Sequence, residues 1–253
     1  MPGDPVRFVG DAMAAVVHGI HEVRAATGAP PVVIGGLAVL TRLSTPYRAT
    51  VDLDVVDRRL GDAPQLELLR AADGARSVEP AAVLLPTPFG EVTVDVLEVR
   101  QVELDEPSDD PGDRLHAAAH AWAFDTATDV EIHVTVRGAA AITVTTPIAE
   151  PGPLVAMKLQ AVMDRSAAKA GTDLLDIVHL VVDPATRQPA LHQISDVRAE
   201  VARDIAWHVD HWFVRQRRVA SHRINAVGGD LTTDDLDLVA ELLLAAATRR
   251  GGV

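Results

Sequence analysis

At 253 residues the chain has room for one large domain or two small ones, each with a core of its own. Apolar residues make up 48% of it and charged residues 23%, an ordinary globular usage that excludes wholesale disorder and a collagen-like repeat. A formal net charge of −13 excludes coating of nucleic acid by bulk attraction, and the lack of cysteine excludes disulfides, thiolate nucleophiles, iron–sulfur clusters and Cys-liganded zinc.

At the amino end, Asp4 and Arg7 lead into an amphipathic stretch rather than a signal peptide's apolar core, and no apolar run is long enough to cross a bilayer. A cytoplasmic protein with no membrane partner is expected. Apolar residues from Val6 to Ala26 recur at helical spacing, and Thr27-Gly28 closes that helix. Pro31–Ile34 then reads as a short buried strand, broken by Gly35-Gly36 directly before a helical run from Leu37 to Leu43. A strand over Thr50–Val56, a helix near Gln65–Ala72 and strands near Ala81–Leu85 and Glu91–Leu97 follow. Six acidic residues fall between Glu103 and Asp113, among two prolines and a glycine, and predict an exposed acidic loop. Helix Arg114–Phe124 and strands Val130–Val136 and Ala141–Thr145 complete a mixed sheet with flanking helices.

After Pro147 the pattern changes. Pro151-Gly-Pro153 opens a helix at a position that suits proline, and helical periodicity runs from there to Thr248 without a convincing strand. The expectation is an α/β (α+β) domain over residues 1–148 followed by an all-helical domain over 149–253, with Gly251-Gly252-Val253 frayed. The second part is nearly balanced, fourteen acidic side chains against twelve basic, so most of the negative charge sits in the first. Lys158 and Lys169 are the only lysines against twenty-one arginines, which singles both out.

Asp52 and Asp54 stand two apart on a predicted strand, so their carboxylates share a face. Two adjacent carboxylates repel unless a divalent cation joins them, and their hard oxygens suit Mg2+ (or Mn2+). Asp95 lies in the apolar strand Val-Thr-Val-Asp-Val-Leu, where an unpaired charge is costly, and is the third candidate ligand. Three carboxylates on neighbouring strands are what two-metal phosphoryl or nucleotidyl transfer needs. Gly35-Gly36, at a helix amino terminus and without side chains, lets an anion such as a triphosphate approach the backbone. Neither a P-loop nor a dinucleotide fingerprint is present.

Val-Ile-Gly-Gly-Leu-Ala, then Arg48-x-Thr50-x-Asp52-x-Asp54, then Asp95 in a strand, resemble the DNA polymerase β-like nucleotidyltransferase superfamily. Met157-Lys158-Leu159-Gln160-Ala161, Arg165, Lys169 and Thr172-Asp173-Leu174-Leu175-Asp176-Ile177 are similar to the helical-domain pattern of its AbiEii/MenT-type family, toxins of bacterial toxin–antitoxin pairs. The matched motifs span roughly residues 31–180; Lys169-Ala-Gly-Thr172 departs from the denser basic run of relatives.

The resemblance implies a nucleotidyltransferase-type sheet, a helical domain completing the nucleotide and acceptor cleft, a nucleoside triphosphate as substrate, and magnesium. Some relatives add pyrimidine nucleotides to the 3′ end of tRNA. It also implies that Asp52 and Asp54 bind the metals and that Asp95 helps deprotonate the acceptor hydroxyl. Lys158 and Arg48 would meet the phosphates, and Asp173 would be the acidic partner in the helical domain. Thr50 is a candidate for regulatory phosphorylation by a kinase-type antitoxin, since a phosphate beside the carboxylates repels triphosphate.

His116 and His120 have the i, i+4 spacing of zinc ligands, but residue 117 is alanine where a zincin has glutamate, so they read as a helix face. Trp212-Phe213 with Arg215, Arg217, Arg218 and Arg223 form a basic and aromatic cluster that reads equally as a surface for RNA phosphates and a stacked base or as surface arginines over buried aromatics. The expected function is transfer of nucleotides to RNA, with the 3′ end of tRNA foremost. The alternatives are a small antibiotic-like hydroxyl compound or a protein as acceptor, and a non-catalytic regulatory or binding module.

Overall fold

The computed structural model of the protein describes residues 5–60, 63–138 and 140–249; the expectation for Gly251-Gly252-Val253 lies outside them. The chain divides into two compact units. The first takes the chain up to Thr41, Thr45–Gln101 and Ala123–Ala149; the second takes Arg42–Ser44, Val102–Trp122 and the chain from Glu150 onward. The main crossing therefore falls at Ala149/Glu150, beside the expected 148/149 boundary, while the stretch Val102–Trp122 belongs with the helical unit.

The first unit is built on one mixed sheet of eight strands. They are β1 (Val6–Val9), β2 (Val32–Ile34), β3 (Asp52–Asp57), β4 (Arg76–Glu79), β5 (Ala82–Thr87), β6 (Gly90–Glu98), β7 (Thr128–Thr135) and β8 (Ile142–Ile148). Their order across the sheet is β1-β7-β8-β2-β3-β6-β5-β4. Helix α1 (Asp11–Thr27) packs on one face, against β3, β5, β6, β7 and β8. Leu53 and Val55 of β3 and Val92, Val94 and Val96 of β6 are buried on alternate positions, while Asp52, Asp54, Thr93 and Asp95 occupy the intervening, half-buried ones. Gly19 of α1 lies against Val92 and Leu53, which sets the helix on the face away from the aspartates. Helices α2 (Gly35–Arg42) and α3 (Gln65–Arg70) follow β2 and β3.

One expectation for this unit is corrected, and one strand is added to it. The helix read from Val6 begins at Asp11 instead, because Val6–Val9 is an edge strand paired in parallel with Ile132–Thr135 of β7. Phe8 alone of the four is buried, and Gly10, at φ +104°, separates strand from helix. Phe8 and Val9 coincide with helical spacing without belonging to a helix. Strand β4 has no counterpart in the sequence reading, since all four of its residues are exposed and no apolar alternation announces it.

The second unit is helical. After α4 (Gln101–Asp105) and α5 (Pro111–Thr126), which carry the chain in and out of it, come α6 (Pro151–Asp164), α7 (Ala167–Val182), α8 (Arg187–Ser195) and α9 (Ala199–Val209). A π-helical turn over Asp210–Arg215 leads to α10 (Arg217–Ala226) and α11 (Thr233–Thr248). No strand occurs among the described residues after Ile148. Pro151 opens α6 in its first turn, as read from the sequence. Packing of α6 on α7 and α8, of α10 on α7, and of α11 on α8 and α9 buries Leu154, Leu159, Leu174, Ile177, Phe213 and Leu243.

The acidic segment is more ordered than the expected loop. Gln101–Asp105 is helical, with no residue buried, and α5 starts at Pro111 rather than Arg114. The Asp110 carboxylate accepts hydrogen bonds from the amides of Gly112 and Asp113, so this acid serves as a helix cap before a proline.

Candidate active site

Strands β3 and β6 run parallel in a register that sets Asp52 beside Thr93 and Asp54 beside Asp95. Side chains alternate along a strand, so Asp52 and Asp54 share a face, and Asp95 joins them directly across the ladder. The three predicted carboxylates therefore occupy one patch of sheet. Strand β6 is apolar on one side only, and Asp95 stands on the half-buried side, so the burial cost expected from its apolar neighbours is reduced.

Strand β2 ends at Ile34, which pairs with Asp54, and α2 starts at the next residue. Gly35 takes φ +65°, and a Cβ there would lie 1.9 Å from Asp54 Oδ2, so only glycine fits. The Gly36 amide points at the same oxygen, 3.4 Å away. A carboxylate at the positive end of a helix is electrostatically favourable and is oriented by it. A Cβ on Gly36 would meet Thr50 Oγ1 at 2.9 Å and Arg48 Nη2 and Nη1 at 3.2 and 3.3 Å. The missing side chains thus let Asp54, Thr50 and Arg48 close around the turn.

Arg48 is held in place by its own neighbourhood. Its Nε donates to the Tyr47 hydroxyl at 3.3 Å, its Nη1 donates to the Ala49 carbonyl at 3.1 Å, and its guanidinium lies 5.8 Å from the Tyr47 ring centroid. Tyr47 is absent from the sequence-based set; its one signal is adjacency to the arginine of the R-x-T-x-D-x-D block. Thr50 is 5% exposed and donates to Asp52 Oδ1 at 2.7 Å. Its hydroxyl orients a predicted metal ligand in this state and is not displayed at the surface.

Lys158 and Asp173 come together in the helical unit. The Lys158 ammonium contacts Asp173 Oδ1 at 2.5 Å and Asp176 Oδ2 at 2.9 Å, and Arg165 reaches Asp173 Oδ2 at 2.9 Å. Lys158, Asp173 and Asp176 are all buried. Burial opposes the charge on Lys158, but the attraction of Asp176 and Asp173 and hydrogen bonds to both outweigh it and raise the pKa above the ordinary lysine value. Lys158 stays protonated, and two cations balance two carboxylates. Asp176, quoted in the helical-domain motif without a role of its own, is the third member of the cluster; three-residue spacing from Asp173 puts both on one side of α7.

Two of the four arginines of the cluster are paired with acids. Arg215 pairs with Asp210 at 2.5 Å, and Arg217 makes two 2.8 Å contacts with Asp237. Arg223 lies 5.0 Å from the ring centroid of Trp212, which is buried with Phe213. Arg218 is exposed. Of the two readings of the aromatic pair, surface arginines over buried aromatics is the one found, and the exposed tryptophan of this region is Trp207, stacked on His211 at 5.7 Å.

His120 is buried, and its Nδ1 bonds the His116 carbonyl at 2.7 Å. Burial, and secondarily the neighbouring His116, push its pKa down to about 3, so it is a neutral core residue. His120 thus lies on the buried face of its helix. Among the described residues no group of three or more histidine, aspartate or glutamate side chains is arranged to hold a metal ion. Magnesium, however, commonly takes one or two protein carboxylates and completes its shell with water and substrate phosphate oxygens. The all-oxygen pair Asp52 and Asp54 suits that mode. A scan of the chain against protein-family models gives no match, and a search of curated proteins gives none.

Proposed function

We propose that the protein is a metal-dependent nucleotidyltransferase of the AbiEii/MenT type, a cytoplasmic toxin that moves a nucleotide from a nucleoside triphosphate to an RNA hydroxyl, foremost the 3′ end of tRNA. One observation carries this reading: Gly35-Gly36, at the amino end of α2, packs without side chains against Asp54, Thr50 and Arg48, with Asp95 in register beside Asp54. A glycine turn, a guanidinium held by its neighbours and three carboxylates on one face of the sheet are the parts that in-line attack on a polyphosphate uses.

Asp52 and Asp54 would hold Mg2+ or Mn2+, which supplies charge neutralisation at the phosphates. Arg48, held beside the Gly35-Gly36 turn, binds the triphosphate and orients it. Asp95 accepts the proton of the acceptor hydroxyl as its oxygen attacks the α-phosphorus. The new O–P bond forms while the bond from the α-phosphorus to the bridging oxygen breaks, and pyrophosphate leaves with that electron pair. A phosphate on Thr50 would replace its hydrogen bond to Asp52 with repulsion, a route by which a kinase-type antitoxin would silence the site.

A small hydroxyl compound or a protein as acceptor is the second reading, and the pairing of Arg215 and Arg217 with acids favours it. Incubation with each α-labelled nucleoside triphosphate, magnesium and total tRNA decides between them. Label on tRNA that disappears in Asp52→Ala is the expected result. Label elsewhere that also needs Asp52 moves the acceptor to the second reading. Growth inhibition that survives Asp52→Ala would leave a non-catalytic binding module.

A further inference from the structure

We propose that Tyr47 is the positioning residue for the phosphate-binding arginine: its hydroxyl and ring lock the Arg48 guanidinium over Gly36, so that a polyphosphate meets a preset cation at the amino end of α2. The inference rests on the nucleotidyltransferase reading for its ligand, but its geometry stands apart from that reading. An arginine on a connecting segment has several rotatable bonds, and holding it in one rotamer costs side-chain entropy each time an anion binds. Here that cost is met before binding. Nε is bound to the Tyr47 oxygen at 3.3 Å, Nη1 to the Ala49 carbonyl at 3.1 Å, and the guanidinium is beside the phenol ring. Both Nη atoms come within 3.3 Å of the point that a Gly36 side chain would occupy. The same two residues therefore explain why Gly36 is bare and where its neighbour's charge sits.

The phenol contributes an acceptor that no apolar ring offers. Phenylalanine keeps the face and loses the Nε contact; lysine in place of Arg48 keeps the charge and loses the fork that Tyr47 holds. Tyr47 then acts on the bound anion through Arg48, and the two substitutions must be coupled.

Binding of inorganic tripolyphosphate with magnesium, measured by calorimetry on the full chain, tests this without knowledge of the nucleotide. Tyr47→Phe should bind about fivefold to tenfold more weakly than the wild type. Arg48→Lys should also bind more weakly, and the double variant no more weakly than Arg48→Lys alone. Tyr47 is the only tyrosine in the chain, so carbon-13 at tyrosine Cζ gives one resonance, which should move in Arg48→Lys before any ligand is added. Unchanged affinity in Tyr47→Phe, losses that add fully in the double variant, or an unmoved resonance would each overturn the positioning role while leaving the nucleotidyltransferase reading intact. No binding of tripolyphosphate by the wild type would overturn both.

Discussion

At the scale of single residues, the site depends most on an atom that is missing. Gly35 combines φ +65° with a Cβ position 1.9 Å from Asp54 Oδ2, so alanine there meets two penalties at once. The left-handed backbone costs about 1–2 kcal/mol for any residue with a Cβ. The clash also forces Asp54 to turn away, separating it from Asp52 and Asp95. Gly35→Ala should therefore lower stability by at least about 1–2 kcal/mol in urea unfolding while reducing nucleotide transfer as far as Asp54→Ala does. Full activity in a folded Gly35→Ala would show that Asp54 is not needed where it stands. Such residues were legible because their signals are local: a glycine pair between strand and helix, and carboxylates two apart on a strand. Tyr47 and Asp176 were less legible, since their importance comes from the partners that folding brings to them. The fate of the arginines was hidden for the same reason. Nothing near Arg217 in sequence announces Asp237, twenty positions away.

At the scale of elements, periodicity located six of the eight strands and the onset of the helical part, and it failed where a signal was short or solvent-facing. Four residues of β1 fit a helix as well as a strand, and exposed β4 fits neither. Asp110 turned an acidic stretch into a helix start by accepting amide protons, a contact that composition conceals. Helix α5 also carries the molecule's clearest titration device. His120 is buried beside His116, with Arg165 close enough to oppose its protonation, and stays neutral down to about 3. In the unfolded chain it takes up a proton near 6.5. The unfolded state thus binds more protons between those values, and the contribution of His120 is fully present above pH 6.5 and is lost as pH falls toward 3. Between pH 7.5 and 5, unfolding free energy should drop by an amount on the order of 2 kcal/mol more in the wild type than in His120→Asn, as measured by urea titration at both pH values. Equal drops in the two proteins would show that the histidine is solvated or charged.

At the scale of the whole molecule, charge sets the terms on which any RNA acceptor is held. The chain carries −13, and three of the four arginines expected to meet phosphates already have acidic or aromatic partners. Binding to a polyanion releases counterions in proportion to the phosphates neutralised, with about 0.9 ions per phosphate on a duplex and 0.7 on a single strand. With Arg218 exposed and few other cations uncommitted in the cluster, the number of phosphates neutralised should be about two. Raising salt from about 50 to about 200 mM should then weaken tRNA binding by only about tenfold, against a thousandfold or more for a protein that makes many phosphate contacts. Recognition of a tRNA end would rest on the reacting nucleotide and its immediate neighbours rather than on the duplex stems. Arg218→Ala should flatten the salt dependence further, whereas Arg217→Ala should act mainly by freeing Asp237 and leave the slope nearly unchanged. Fluorescence anisotropy of labelled tRNA across a salt series measures all three slopes. A thousandfold loss in the wild type would mean that the polyanion is held by a basic surface outside the arginine cluster, and the contact region assigned to α10 would have to move.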